Sequence, residues 1–127
     1  MSFVNILFYT LLKISKELLS EVLGINTILM APIIEPENKI GHLVYGSQNT
    51  PQEVRNNHKQ INIYEFAFKC KEWVNKQGYW ANSGYDNKYY CMLRDMPDNQ
   101  WFYADTEVEA IIKACEYIIN SRLVHPL

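Results

Sequence analysis

Three times in this chain a Thr or Asn is followed three residues later by Glu: Thr50-Pro51-Gln52-Glu53, Asn62-Ile63-Tyr64-Glu65 and Thr106-Glu107-Val108-Glu109. The side-chain oxygen at the first position takes a backbone N–H of the nascent first turn and the Glu reaches back, so each tetrad marks a helix start. The last two starts bracket a stretch that does not stay helical. Gly78, the run Gly84-Tyr85-Asp86-Asn87 and the run Met96-Pro97-Asp98-Asn99 cut it into three short aromatic-rich segments, Tyr79–Ser83, Lys88–Arg94 and Gln100–Ala104, which read as strands joined by turns. Residues 61–122 are therefore expected to form an α-β-β-β-α unit with a small antiparallel sheet, and the fold class is α+β.

Hydrophobic periodicity assigns the faces. In the helix that starts at Asn62, the residues Ile63, Phe66, Ala67, Cys70, Trp73 and Val74 share one side; after Thr106 the corresponding set is Val108, Ile111, Ile112, Cys115, Ile118 and Ile119. Both recur at steps of three and four, the mark of a helix with one buried face. Along the middle strand, alternation puts Tyr89, Cys91 and Leu93 on one side of the sheet and Tyr90, Met92 and Arg94 on the other. Both sides carry large side chains. The chain is 13% aromatic, and eight of its seventeen aromatic residues fall between Tyr79 and Tyr103. Either a further helix covers the second face of the sheet, or that face is an aromatic binding surface.

The N-terminal half is read as a helix over about 2–23, with Val4, Leu7, Leu11, Ile14, Leu18 and Val22 on one face and Gly24 as its stop. So wide an apolar face also fits a homodimer formed through this helix. Residues 27–45 are expected to form a hairpin around the turn Glu35-Pro36-Glu37-Asn38-Lys39. Residues 1–46 would then be a helix plus hairpin, and residues 47–60 a polar linker with a short helix from Pro51 to about Asn57, leading into the 61–122 unit.

Charge argues about partners. Twelve Lys and Arg stand against fourteen Asp and Glu, four against five in residues 1–57 and eight against nine in residues 58–127. A duplex-binding protein normally carries a basic stripe, because neutralised phosphates supply most of its affinity. Nucleic acid therefore ranks below protein as a partner. The apolar run Phe3–Leu12 is interrupted by Lys13 after about ten residues, half of the roughly 20 that a bilayer crossing needs. It also lacks the basic start and cleavage site of a signal peptide, so a cytoplasmic location, without a membrane, is expected.

Little in the sequence points to catalysis. Cys70, Cys91 and Cys115 all fall on inward faces with no paired spacing, and His42, His58 and His125 sit near loops or ends. The thiols are expected to pack as small hydrophobes rather than hold metal. Asp105, Glu107 and Glu109 open a helix, where unpaired N–H groups favour acidic side chains. No Gly-rich phosphate loop or hydrolase motif occurs. No enzyme activity, cofactor or metal is expected. The remaining signal is aromatic: Trp80, Tyr85, Tyr90 and Trp101, with Arg94, are the candidate binding residues, since Trp, Tyr and Arg dominate interface hot spots.

The stretch Ile61–Arg122 resembles small phage and prophage proteins described as α/β/α sandwiches. The likeness lies in Lys71-Glu72-Trp73, Gly78-Tyr79 and the closing Ala104-Asp105-Thr106-Glu107-x-Glu109-Ala110-Ile111-Ile112-x-Ala114. A second likeness is to HicB-type antitoxins, whose turn and helix start look like Arg94-Asp95-Met96-Pro97 and Asp105-Thr106-Glu107-Val108-Glu109-Ala110. The α-β-β-β-α order is also similar to that of double-stranded RNA-binding domains, but Asp105, Glu107 and Glu109 replace the basic start of their last helix and would repel phosphate. The resemblances imply a non-catalytic phage or mobile-element accessory protein. Its partner would be a host protein such as a defence nuclease; the alternative is an antitoxin-like or nucleic-acid-binding module that uses the aromatic sheet face.

Overall fold

The computed structural model describes residues 14–24, 42–45, 59–94 and 98–124. Within them lie α1 (Lys16–Leu23), β1 (His42–Tyr45), β2 (Lys59–Asn62), α2 (Ile63–Lys76), β3 (Trp80–Asp86), β4 (Lys88–Arg94), β5 (Asn99–Ala104) and α3 (Glu107–Val124). The fold is α+β. The chain divides into two compact units, residues 1–66 and 67–127, with the boundary inside α2.

In the first unit, α1 starts at a cap. Ser15 is extended (φ −70°, ψ 154°) and its hydroxyl accepts the Leu18 N–H at 3.1 Å, so Ser15 caps a helix that starts at Lys16; the part of the expected helix over residues 2–13 lies outside the described residues. A Ser at that point offers the first turn a side-chain acceptor, which apolar spacing alone does not register. Ile14, Leu18 and Leu19 are buried. Gly24 closes α1 in the left-handed region (φ 69°), and its N–H donates to the Ser20 carbonyl.

The strand at His42–Tyr45 exists, and its described partner is β2, in antiparallel register from His42↔Asn62 to Tyr45↔Lys59. Lys59 and Gln60 fall within the polar linker expected over residues 47–60. Their pattern carries only Ile61 as an apolar residue, and the pairing with β1, a long-range contact, overrides that weak local signal. The first arm and the turn of the hairpin expected over 27–45, and the short helix expected from Pro51 to about Asn57, lie outside the described residues. Asn62 ends β2 and caps α2 at once: its Oδ1 accepts the N–H groups of Tyr64 (2.8 Å) and Glu65 (3.3 Å), so strand becomes helix with no loop between.

The second unit is the C-terminal part of α2, the meander and α3. Gly78, at φ 92°, ends α2, with the Tyr79 N–H reaching back to the Val74 carbonyl at 3.2 Å. The sheet order is β3-β4-β5, antiparallel throughout, with β4 central. β3 runs three residues beyond the expected Ser83, and Asn87 makes the turn at positive φ (63°), which Asn tolerates better than most side chains. Of the second expected turn, Met96 and Pro97 lie outside the described residues, and Asn99 already belongs to β5. Thr106 caps α3, its hydroxyl accepting the Glu109 N–H at 3.1 Å.

Both helices of this unit lie on one side of the sheet. α3 packs across β4 and β5 and touches β3. Phe102 meets Tyr117 with ring centroids 5.3 Å apart. Lys71 on α2 reaches Ser83 on β3, and Cys115 of α3 lies against the Cys70 carbonyl of α2. From Ala67 onwards the apolar faces expected for the two helices are buried residue for residue, as are Cys91 and Leu93 of the sheet. The core of the unit is this single helix–sheet layer.

Candidate functional site

Register decides which side chains meet on the other side of the sheet. Trp80 pairs with Arg94 and Arg94 with Asn99; Asn82 pairs with Met92 and Met92 with Trp101; Gly84 pairs with Tyr90 and Tyr90 with Tyr103. Directly opposite residues share a face. Trp80, Tyr90, Met92, Arg94, Trp101 and Tyr103 therefore project together, away from α2 and α3. Trp80 is 65% exposed, Trp101 50% and Tyr103 48%. Met92, between Asn82 and Trp101 on the central strand, is the one buried residue among them.

The rings form a connected surface. Tyr90 and Trp101 lie 5.4 Å apart between centroids and tilted by 52°, while Trp101 and Tyr103 are 6.4 Å apart and parallel to within 10°. Tyr90 leans across its partner on the edge strand: a Cβ built on Gly84 would sit 3.2 Å from the Tyr90 hydroxyl. Glycine there lets the ring lie over the backbone, and the ring in turn covers a strand position with no side chain of its own. Charges are confined to the margins, with Asp86 and Lys88 at the hairpin end and Arg94 at the opposite end.

Of the five residues singled out from sequence, Trp80, Tyr90, Arg94 and Trp101 come together on this face. Tyr85 does not. It pairs with Tyr89 (centroids 4.8 Å apart) on the side of the sheet that the helices occupy, exposed because it stands near the hairpin end of the strand. Tyr103 and Met92 complete the face and were not singled out. Two-residue alternation from Trp101 was the available signal for Tyr103.

Two polar features lie on the helix side. Lys71 Nζ donates to Ser83 Oγ (3.1 Å), and Ser83 donates to Glu107 Oε2 (2.7 Å), so one hydroxyl ties α2, β3 and α3 together. The two charged side chains hold the hydroxyl in a bridge between the helices and the sheet. Glu109 is buried, and its Oε1 has no hydrogen-bond partner. Burial and the neighbouring Asp105 push its carboxyl above the ordinary value, opposed by Lys113 and by a hydrogen bond from the Asp105 backbone.

The three cysteines are free and buried. Burial and the neighbouring Cys115 push the Cys91 thiol up to about 12. The Cys115 thiol is raised by its hydrogen bond with Cys70 and by burial. Thiols held protonated away from solvent are poor nucleophiles and poor ligands. Among the described residues no group of three or more His, Cys, Asp or Glu is placed to hold a metal ion, and no helix is long and apolar enough to cross a membrane. His42 lies on β1 opposite Asn62, and His58 and His125 fall outside the described residues.

No protein-family model, curated protein or solved structure matches this chain.

Proposed function

We propose that this chain is a non-catalytic protein-binding module that occludes a partner through the face carrying Trp80, Tyr90, Met92, Arg94, Trp101 and Tyr103. The observation that supports the reading is the composition of that exposed face. Aromatic residues, Met and Arg are the types enriched in protein interfaces, while Lys, Asp and Glu are depleted there; here the charged residues other than Arg94 stand at the hairpin margin. The exposed parts of Trp80, Trp101 and Tyr103 add up to about 300–400 Å² of ring surface, at the size where an apolar patch on a monomer is commonly functional. In the phage or mobile-element setting that the resemblances imply, the partner is a host protein, a defence nuclease being one candidate, and the module acts in the cytoplasm of the host.

The test is stoichiometric capture with matched variants. A host protein retained by the wild type should be lost with Trp101→Ser or Tyr103→Ser and kept with Tyr64→Ser, which removes a comparably exposed ring from α2. Equal retention by all three variants would show that this face does not bind it.

A second reading has one specific observation in its favour. The parallel rings of Trp101 and Tyr103 resemble the platforms on which unpaired bases stack, each worth about 1–3 kcal/mol. It predicts quenching of tryptophan fluorescence by single-stranded oligonucleotides, with affinity falling as salt rises. Absence of quenching at low salt removes it.

A further inference from the structure

We infer that the partner presents a single carboxylate, from an Asp or Glu side chain, which seats on the Arg94 guanidinium at the end of an otherwise apolar contact. This partner chemistry rests on the docking face proposed above and states what that face selects. Register lays the face out in rows. Trp80, Arg94 and Asn99 form the first, and Asn82, Met92 and Trp101 the second; Asp86 and Lys88 form the last, at the hairpin end. Asp86 and Lys88 are directly opposite one another, and their charges offset. Arg94 has no such counterpart. Its row neighbours are neutral, it is exposed, and among the described residues no carboxylate pairs with it. The face therefore carries one unbalanced charge, and that charge is positive.

Placement makes this charge selective. Arg94 lies on the central strand between β3 and β5, with the exposed Trp80 directly beside it, so a partner that covers Trp80 and Trp101 also takes water from the guanidinium. Leaving its five donors without water or acceptor is costly, whereas a carboxylate takes two of them at once in a forked pair. An apolar partner without an acid leaves the guanidinium unpaired, and a basic one is repelled. Arg94, Met92 and Tyr90 follow one another at alternate positions of β4, which sets the carboxylate about 13 Å from whatever covers Tyr90. The complementary surface is an apolar stripe of about that length with one acid at its end. Phosphate fits less well. Phosphopeptide sites gather several Arg, and nucleic acid repeats its charge along the strand. Here the other cation of the face, Lys88, is about 20 Å away along β4 and already faces Asp86. The chain as a whole, with fourteen acidic against twelve basic residues, adds no cation density for a polyanion.

Selection of a displayed random-peptide library on the immobilised full chain, followed by fluorescence anisotropy of a selected synthetic peptide, tests this. Peptides whose retention is lost with Trp101→Ser should combine aromatic or aliphatic residues with one Asp or Glu. Replacing that acid by its amide in the peptide should weaken binding to the wild-type protein about 10- to 100-fold, as should Arg94→Gln. The two changes together should weaken it little further, because both remove the same pair. Selection on Arg94→Glu should enrich Lys or Arg instead. Peptides that need Trp101 but bind equally well as acid or amide would overturn the carboxylate and leave the docking face standing. A library that yields no peptide dependent on Trp101 would overturn both. A single-stranded oligonucleotide or a phosphopeptide that outcompetes the acidic peptides and is released by Arg94→Gln would give the guanidinium to phosphate and overturn the carboxylate as well. The acid-to-amide exchange is made in the peptide, so it decides the matter even where an Arg94 variant folds poorly.

Discussion

Trp80→Ser set beside Leu93→Ala is the sharpest test of the claim that the aromatic side of the sheet is open. The two residues lie on neighbouring strands and on opposite faces. Trp80 is 65% exposed, so it hides about a third of its surface. For a side chain of roughly 200–250 Å² that is about 80 Å², or about 2 kcal/mol at 25 cal/mol per Å². Residual burial in the unfolded chain removes up to ~40% of that, leaving about 1–1.5 kcal/mol. Leu93 is 0% exposed on the central strand, against the two helices, and its truncation leaves a cavity that cannot fully collapse. Such Leu→Ala changes cost about 2.7–5 kcal/mol. The larger deletion is therefore expected to cost clearly less than the smaller one. Equilibrium urea unfolding followed by far-ultraviolet circular dichroism reads both. A loss for Trp80→Ser equal to or above that for Leu93→Ala would mean that the ring is a core residue, and the argument for a docking face would fail with it.

Other expectations follow from the same structure. Glu109 has its folded carboxyl raised above the ordinary 4.5, so its contribution to stability is fully present below the unfolded value and is lost as pH rises through the raised one. Relative to Glu109→Gln, the wild type should gain stability as pH falls from 7 towards 4.5; denaturation midpoints that stay parallel across that range contradict this. Asn62→Ala removes the acceptor for two N–H groups at the start of α2 and should cost about 1 kcal/mol, with Asn62→Asp close to wild type, as read by thermal melts. Cys70, Cys91 and Cys115 should react with a thiol reagent only in denaturant. Rapid labelling of any of them in the native protein would contradict the burial of these thiols.

The local signals in this chain carried the C-terminal architecture because they are short-range. Asn62 and Thr106 cap the helices that follow them, Gly78 stops α2, and the apolar residues at three- and four-residue spacing are the buried ones. Each of these effects operates within a turn or two of backbone, so a linear reading captures it. The same logic failed at Ser15, where one hydroxyl interrupted a continuous apolar period, and at Lys59–Asn62, whose strand state depends on β1 some fifteen residues earlier. The candidate site was legible in part. Alternation separated Tyr90, Met92 and Arg94 from Cys91 and Leu93, and the types Trp and Tyr marked the region.

Sequence alone thus determined the order and type of the elements from Asn62 onwards and the inward faces of both helices, because propensity, capping and periodicity are properties of neighbouring residues. It left open which side of the sheet faces solvent, and it grouped Tyr85 with the others. Those matters rest on strand register and on where α2 and α3 pack. Register brings Trp80, Arg94 and Asn99 into one row and sends Tyr85 to the other side; the two helices claim the face of Cys91 and Leu93. The aromatic cluster became an exposed surface only through those long-range contacts, whose energies lie in pairings between residues far apart in the chain.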